Sequence, residues 1–135
     1  PVIHIMSDQL SVNKKGGTMR LGTYPCQMVE GSKAYKAYGT SMVNERHRHR
    51  FEINNAFRES LETAGLLASG LSPDGKLVEI CEVVNHPFMV GVQFHPEFLS
   101  RPNRPHPLFR DFVAAAKATF REGAQPPLLE EDGKK

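Results

Sequence analysis

The stretch Gly91-Val92-Gln93-Phe94-His95-Pro96-Glu97-Phe98 sets an imidazole and a carboxylate two residues apart where an apolar run ends. A carboxylate that holds one ring nitrogen of a histidine leaves the other free to take a proton. That is the pairing of a general base with its orienting acid. Residues i and i+2 share a face in a strand, so both side chains could open into one pocket at its end. The tripeptide is short, and a loop histidine beside a surface acid gives the same letters. A base also needs a group to activate.

A second stretch, Glu45-Arg46-His47-Arg48-His49-Arg50-Phe51-Glu52-Ile53-Asn54, alternates arginine and histidine. In a strand, Arg46, Arg48 and Arg50 share one face and His47 and His49 the other. Clustered guanidiniums match the paired oxygens of a carboxylate or phosphate. An anion site and a solvated strand face are both open readings. A nucleic-acid patch fits less well, because the run is short and the rest of the chain is not basic.

The nucleophile such a base would serve is harder to find. Cys26 follows Tyr24-Pro25, and Cys81 lies inside LVEICEVV at 77–84. Neither has a glycine-flanked elbow or a helix start to lower its pKa. Both read as packing residues. The loop from Lys14 to Gly22 lacks the full glycine-lysine-serine phosphate signature and reads as a flexible segment able to close over a ligand. His4, His86 and His106 stand alone in the sequence, and no set of His, Cys and acids has metal-ligand spacing.

The elements that would position these groups follow from local patterning. Val2 to Met6 is a candidate short strand. Thr18 to Val29 is strand-like, with Gly22 and Pro25 marking a bend or an edge. Ser32 to Tyr38 reads as one or two helical turns, capped by Ser32 and stopped by Gly39. Asn54 or Asn55 caps a helix that carries Phe57, Leu61 and Ala64 and ends at Gly65. Three strands follow, over 66–71, 77–84 and 88–94, the first two joined by the turn Ser72-Pro73-Asp74-Gly75. After a proline-rich loop, Leu108 to Phe120 is a helix with Phe109, Phe112, Val113, Ala116 and Phe120 on one face.

Composition bounds the rest. The chain has 135 residues, enough for one domain, with 39% hydrophobic and 24% charged residues. A net charge of +2 argues against a nucleic-acid partner. No apolar run has the length of a membrane helix, and no basic, apolar leader is visible in Pro1 to Met6. A start at Pro1 leads one to expect a fragment, a processed product or a trimmed chain. Two distant cysteines suit reduced thiols and a cytoplasmic setting.

GGTMRLG at 16–22, ERHRHRFEIN at 45–54 and GVQFHPEF at 91–98 occur in that order. Together they resemble the class I glutamine amidotransferase domain of the CTP synthases, over roughly residues 16–120. The resemblance implies that His95 takes the proton of a cysteine nucleophile, that Glu97 orients His95, and that Arg50 lies near the glutamine α-carboxylate. Arg48 and His49 are weaker candidates for the same pocket, and the Gly16–Gly22 loop would lie near it. The family's cysteine sits on a glycine-flanked elbow upstream of everything matched here, and Cys26 does not fall at that position.

The same resemblance implies an α/β fold with a flavodoxin-like, largely parallel central sheet and helices packed on it. This C-terminal part would supply outer strands, a hairpin-like extension and the final packing helix. Residues 1–122 would form a partial amidotransferase domain and residues 123–135 a disordered tail. The parent protein would make CTP from UTP, ATP and glutamine, with magnesium, as a cytoplasmic homotetramer that responds to GTP. No cofactor is expected in this chain. Its implied partners are glutamine and the missing N-terminal part, which bears the cysteine and the synthetase domain. Alone the chain would be inactive and would leave apolar faces uncovered. A non-catalytic remnant or interaction module, or the amidotransferase part of a different synthetase, are the rival expectations.

Overall fold

The computed structural model describes residues 1–5 and 19–119. Along the chain run β1 (Ile3–Ile5), β2 (Arg20–Met28), α1 (Lys33–Tyr38), β3 (Met42–His49), β4 (Phe51–Ile53), α2 (Arg58–Thr63), β5 (Leu66–Leu71), β6 (Val78–Val83), β7 (Val90–Val92) and α3 (Pro107–Thr119). Short 3₁₀ turns precede α2 at Asn55–Phe57 and follow β7 at Pro96–Leu99. The loop residues 14–18, Phe120 and the tail expected after residue 122 lie outside the described residues.

A five-stranded sheet has the order β3-β2-β5-β6-β7, and β1 and β4 form a separate pair. Every pairing among these strands is antiparallel. The outer strands and the hairpin expected of this part are therefore present, as β5-β6-β7 and β2-β3. The sheet curls: beyond β7, Phe94 bridges His47 of β3, and the His95 amide donates to the Arg46 carbonyl at 2.8 Å. The segment after β7 thus closes onto β3, at the other edge of the five-stranded sheet.

Local chemistry accounts for the elements. Ser32 Oγ accepts from the Tyr35 amide, and Gly39 ends α1 at φ 70°. The carboxylate of Glu82, sent from β6, accepts from the Lys33 amide at 3.0 Å and the Ala34 amide at 3.3 Å, so a buried anion meets the helix start. Asn54 caps the 3₁₀ turn by accepting from Ala56. Pro25 sits on the stretch of β2 that pairs with β3 alone, because β5 reaches only Gln27 and Met28. A residue without an N–H is tolerated there. The pairing of β5 with β6 shifts register around Gly70, where an added Cβ would meet Ile80 Cγ1 at 2.6 Å and Cys26 Sγ at 2.8 Å.

The core gathers Cys26, Met28, Ile80 and Phe94 from the sheet region under Ala34 and Ala37 of α1 and Leu108 of α3. Two sequence expectations differ from this arrangement. The strand expected over LVEICEVV forms as Val78–Val83, but its two acids, Glu79 and Glu82, are both buried. The apolar face expected on α3 exists, but only Leu108 is buried, and Phe112 and Val113 are 56% and 62% exposed. The strand expected over 88–94 is shorter, since only Val90–Val92 keep the ladder with β6.

Candidate active site

His95 is the cap residue before the turn that Pro96 opens, so the pair is set by a 3₁₀ turn and not by strand alternation. Its Nδ1 lies 2.7 Å from Glu97 Oε1. A carboxylate only accepts, so Nδ1 carries a proton, and in the neutral ring the lone pair is then on Nε2. Among the described residues Nε2 makes no hydrogen bond. The imidazole stacks on Phe98 with ring centres 5.2 Å apart. The Glu97 backbone N–H, and then His95, hold the Glu97 carboxyl below its ordinary range. Both side chains are exposed, at 39% and 55%.

Cavities of about 440 Å³ and 480 Å³ adjoin this turn through Leu99 and Pro96, but neither is lined by His95 or Glu97. The first holds a trio that sequence reading did not find, with Glu45 and His106 buried and Tyr38 half-buried. His106 Nε2 and the Tyr38 hydroxyl both reach Glu45 Oε1, at 2.8 Å and 2.7 Å. His106, alone in the sequence, is therefore tied to an acid 61 positions away. Burial and Glu45 raise the Tyr38 hydroxyl pKa.

Arg46 and Arg48 point to solvent from β3, and Arg50 is half-buried at the bend between β3 and β4. Among the described residues the Arg50 side chain makes no hydrogen bond or ion pair. Arg46 carries the carbonyl that holds the His95 amide. Arg50 lies four residues further on, roughly 13 Å along an extended chain.

The inward side of β3 carries a polar chain. His47, fully buried, has Nδ1 3.0 Å from His49 Nε2, and His49 Nδ1 is 2.9 Å from the Phe51 carbonyl. Burial is the main cause that lowers the pKa of both imidazoles, to about 3 for His47, so both are neutral at physiological pH. The Arg20 guanidinium hydrogen-bonds Glu79 in the same interior and lies over the Tyr24 ring at 4.3 Å. Ligand-type atoms of His47, His49 and Glu79 fall within 4.8 Å of one another. Arg20 already neutralises the carboxylate, and a nitrogen-rich set does not suit magnesium, which takes oxygen ligands.

Neither cysteine has the surroundings of a nucleophile. Cys26 is fully buried, and burial pushes its thiol up to about 12. Burial also raises the pKa of Cys81.

Comparison with known proteins gives one family. The model for "Glutamine amidotransferase class-I" matches residues 4–115. A CTP synthase of Dehalococcoides mccartyi is 66% identical over 128 residues, 95% of this chain and 24% of its own length. A CTP synthase of Roseiflexus sp. is 66% identical over 134 residues, 98% of this chain and again 24% of its own length. The chain thus spans about a quarter of these curated relatives. In structure it is similar to the glutaminase domain of Trypanosoma brucei CTPS with bound acivicin, at TM-score 0.77 and 39% identity, covering 89% of this chain and 47% of that one.

Proposed function

Because the chain belongs to the class-I glutamine amidotransferase family, we propose that it supplies the base, the orienting acid and the substrate anchor of a glutamine-hydrolysing site within a CTP-forming enzyme. The observation that carries this is the His95–Glu97 contact, in which Nδ1–H donates to the carboxylate and Nε2 is the nitrogen left without a partner among the described residues. In this reading a cysteine thiol from outside the chain gives its proton to His95 Nε2. The sulfur attacks the side-chain amide carbon of glutamine. His95 returns the proton to the nitrogen as the carbon–nitrogen bond breaks, ammonia leaves, and water then releases glutamate from the thioester. Glu97 balances the imidazolium while it lasts. Arg50 holds the α-carboxylate with its planar fork.

Burial of Cys26 supports a nucleophile from elsewhere. Ammonia would pass to a synthetase site in the remaining length of the relatives. ATP, magnesium and UTP belong there. A GTP effector, tetrameric assembly and a cytoplasmic location belong to the same proposal for the parent. No helix among the described residues is long and apolar enough to cross a membrane.

The test uses the full-length protein with isotopically labelled amide nitrogen in glutamine. Label appearing in CTP, with UTP and ATP consumed, supports the reading. Transfer to another acceptor, with UTP untouched, would sink it in favour of a different synthetase.

A further inference from the structure

We infer that the pair of buried His47 and half-buried His49 is a positioning element that holds the candidate anchor Arg50 and the candidate base His95 in one fixed relation; the inference rests on the glutaminase reading above. The hydrogen bonds order the protons along the pair. A carbonyl oxygen only accepts, so His49 Nδ1 donates to Phe51 at 2.9 Å. In a neutral imidazole the other nitrogen then carries a lone pair, and His49 Nε2 accepts. His47 Nδ1 therefore donates across 3.0 Å to His49. Both rings are held in single tautomers and orientations.

Each end of the pair touches the sequence neighbour of a different candidate, Phe51 beside Arg50 and Phe94 beside His95. His49 bonds across Arg50 to the carbonyl of the next residue, which closes the bend from which Arg50 projects. Without that bond the bend has one fewer restraint, and a long guanidinium side chain explores more positions. His47 lies at the other end. Its ring packs edge-on against Phe94 with centres 5.7 Å apart, and its backbone bridges the same residue. Phe94 immediately precedes His95. Tyr24 also packs edge-on against the imidazole at 5.5 Å. The pair thus joins the bend to the seam through two rings.

The two imidazole nitrogens of His49 can be removed separately. In the full-length enzyme, His49→Gln keeps an acceptor near the Nε2 position and loses the donor to Phe51. His49→Asn keeps a donor near the Nδ1 position and loses the contact with His47. Steady-state glutamine hydrolysis is measured for both, with melting temperature as the check on folding. His49→Gln is expected to raise the glutamine KM roughly 5- to 10-fold with little change in kcat, the effect of one lost hydrogen bond. His49→Asn is expected to lower kcat by a similar factor, roughly 5- to 10-fold, and to leave KM near its starting value. Equal effects of both variants on both constants, or a lower melting temperature with unchanged kinetics, would mean a purely structural pair and overturn the inference. Should His49→Gln not fold, His47→Asn keeps a donor toward His49 but removes the ring on Phe94; it is expected to lower kcat alone, and an unchanged kcat overturns the inference. Arg50→Ala separates the two levels. If it raises KM while the His49 variants leave both constants alone, only the positioning inference fails. If it leaves KM unchanged, the anchor reading fails as well.

Discussion

Glu97 Oε1 lies 2.7 Å from His95 Nδ1, a contact made within one turn of chain and facing solvent on both sides. The rest of the fold is not needed to form the pair; it is needed to place it. In the full-length enzyme, His95→Ala is predicted to reduce glutamine-driven CTP formation by roughly 10²- to 10⁴-fold, the usual contribution of a general base. Synthesis from free ammonia should continue. Equal loss of both activities would make His95 a structural residue.

Cys26 gives the complementary prediction. With its thiol pushed up to about 12 by burial, it stays protonated and shielded at pH 8. Iodoacetamide followed by peptide mapping should leave Cys26 unmodified in the native protein and modify it after denaturation. Cys26→Ala should retain glutamine hydrolysis. Loss of the first chemical step in that variant, with the fold intact, would make Cys26 the nucleophile.

The neutral state of His47 makes stability depend on pH. Burial lowers its pKa from 6.5 to about 3. The unfolded chain takes up the proton first, so this contribution is present above pH 6.5 and is lost as pH falls toward about 3. The melting temperature should therefore drop across that window, and less steeply in His47→Asn. Parallel acid limbs for the two proteins would show that another group controls the loss.

Outward on α3, Phe112 and Val113 are more than half exposed, beside the apolar cavity lined by Phe88, Met89 and Phe109. Such a surface favours association. The isolated chain should bind a hydrophobic dye and scatter light as oligomers, and Phe112→Ser with Val113→Ser should reduce both signals. A monodisperse, dye-free monomer would contradict this.

At Gly70 the backbone approaches Ile80 and Cys26 too closely for a methyl group. Gly70→Ala should destabilise by about 1–3 kcal/mol through overpacking. A denaturation midpoint within error of the wild type would show that Ile80 yields without cost.

Local signals carried much of the fold. Ser32 and Gly39 frame α1, Gly65 ends α2, and the Ser72–Gly75 turn separates β5 from β6, each through chemistry confined to a few residues. The His95–Glu97 contact was readable for the same reason. What escaped was long-range. Glu45 with His106, Arg20 with Glu79, and Glu82 at the start of α1 join positions 48 to 61 apart. A lone acid in a strand pattern does not reveal whether a distant partner permits its burial. The two glutamates of LVEICEVV were the available hint, because an acid on each face leaves that strand no purely apolar side.

The curl that brings Phe94 onto His47 closes a circuit of strands, and a closed circuit has a fixed circumference. Any slip in stagger between β2 and β5, or at the register shift beside Gly70, must reappear somewhere around the loop. Among the described residues the seam is the least redundant joint, a single bridge and one amide bond at His95. Tolerances accumulated over the whole sheet are therefore taken up next to the imidazole. Substitutions far from His95 that leave the fold intact can still move it.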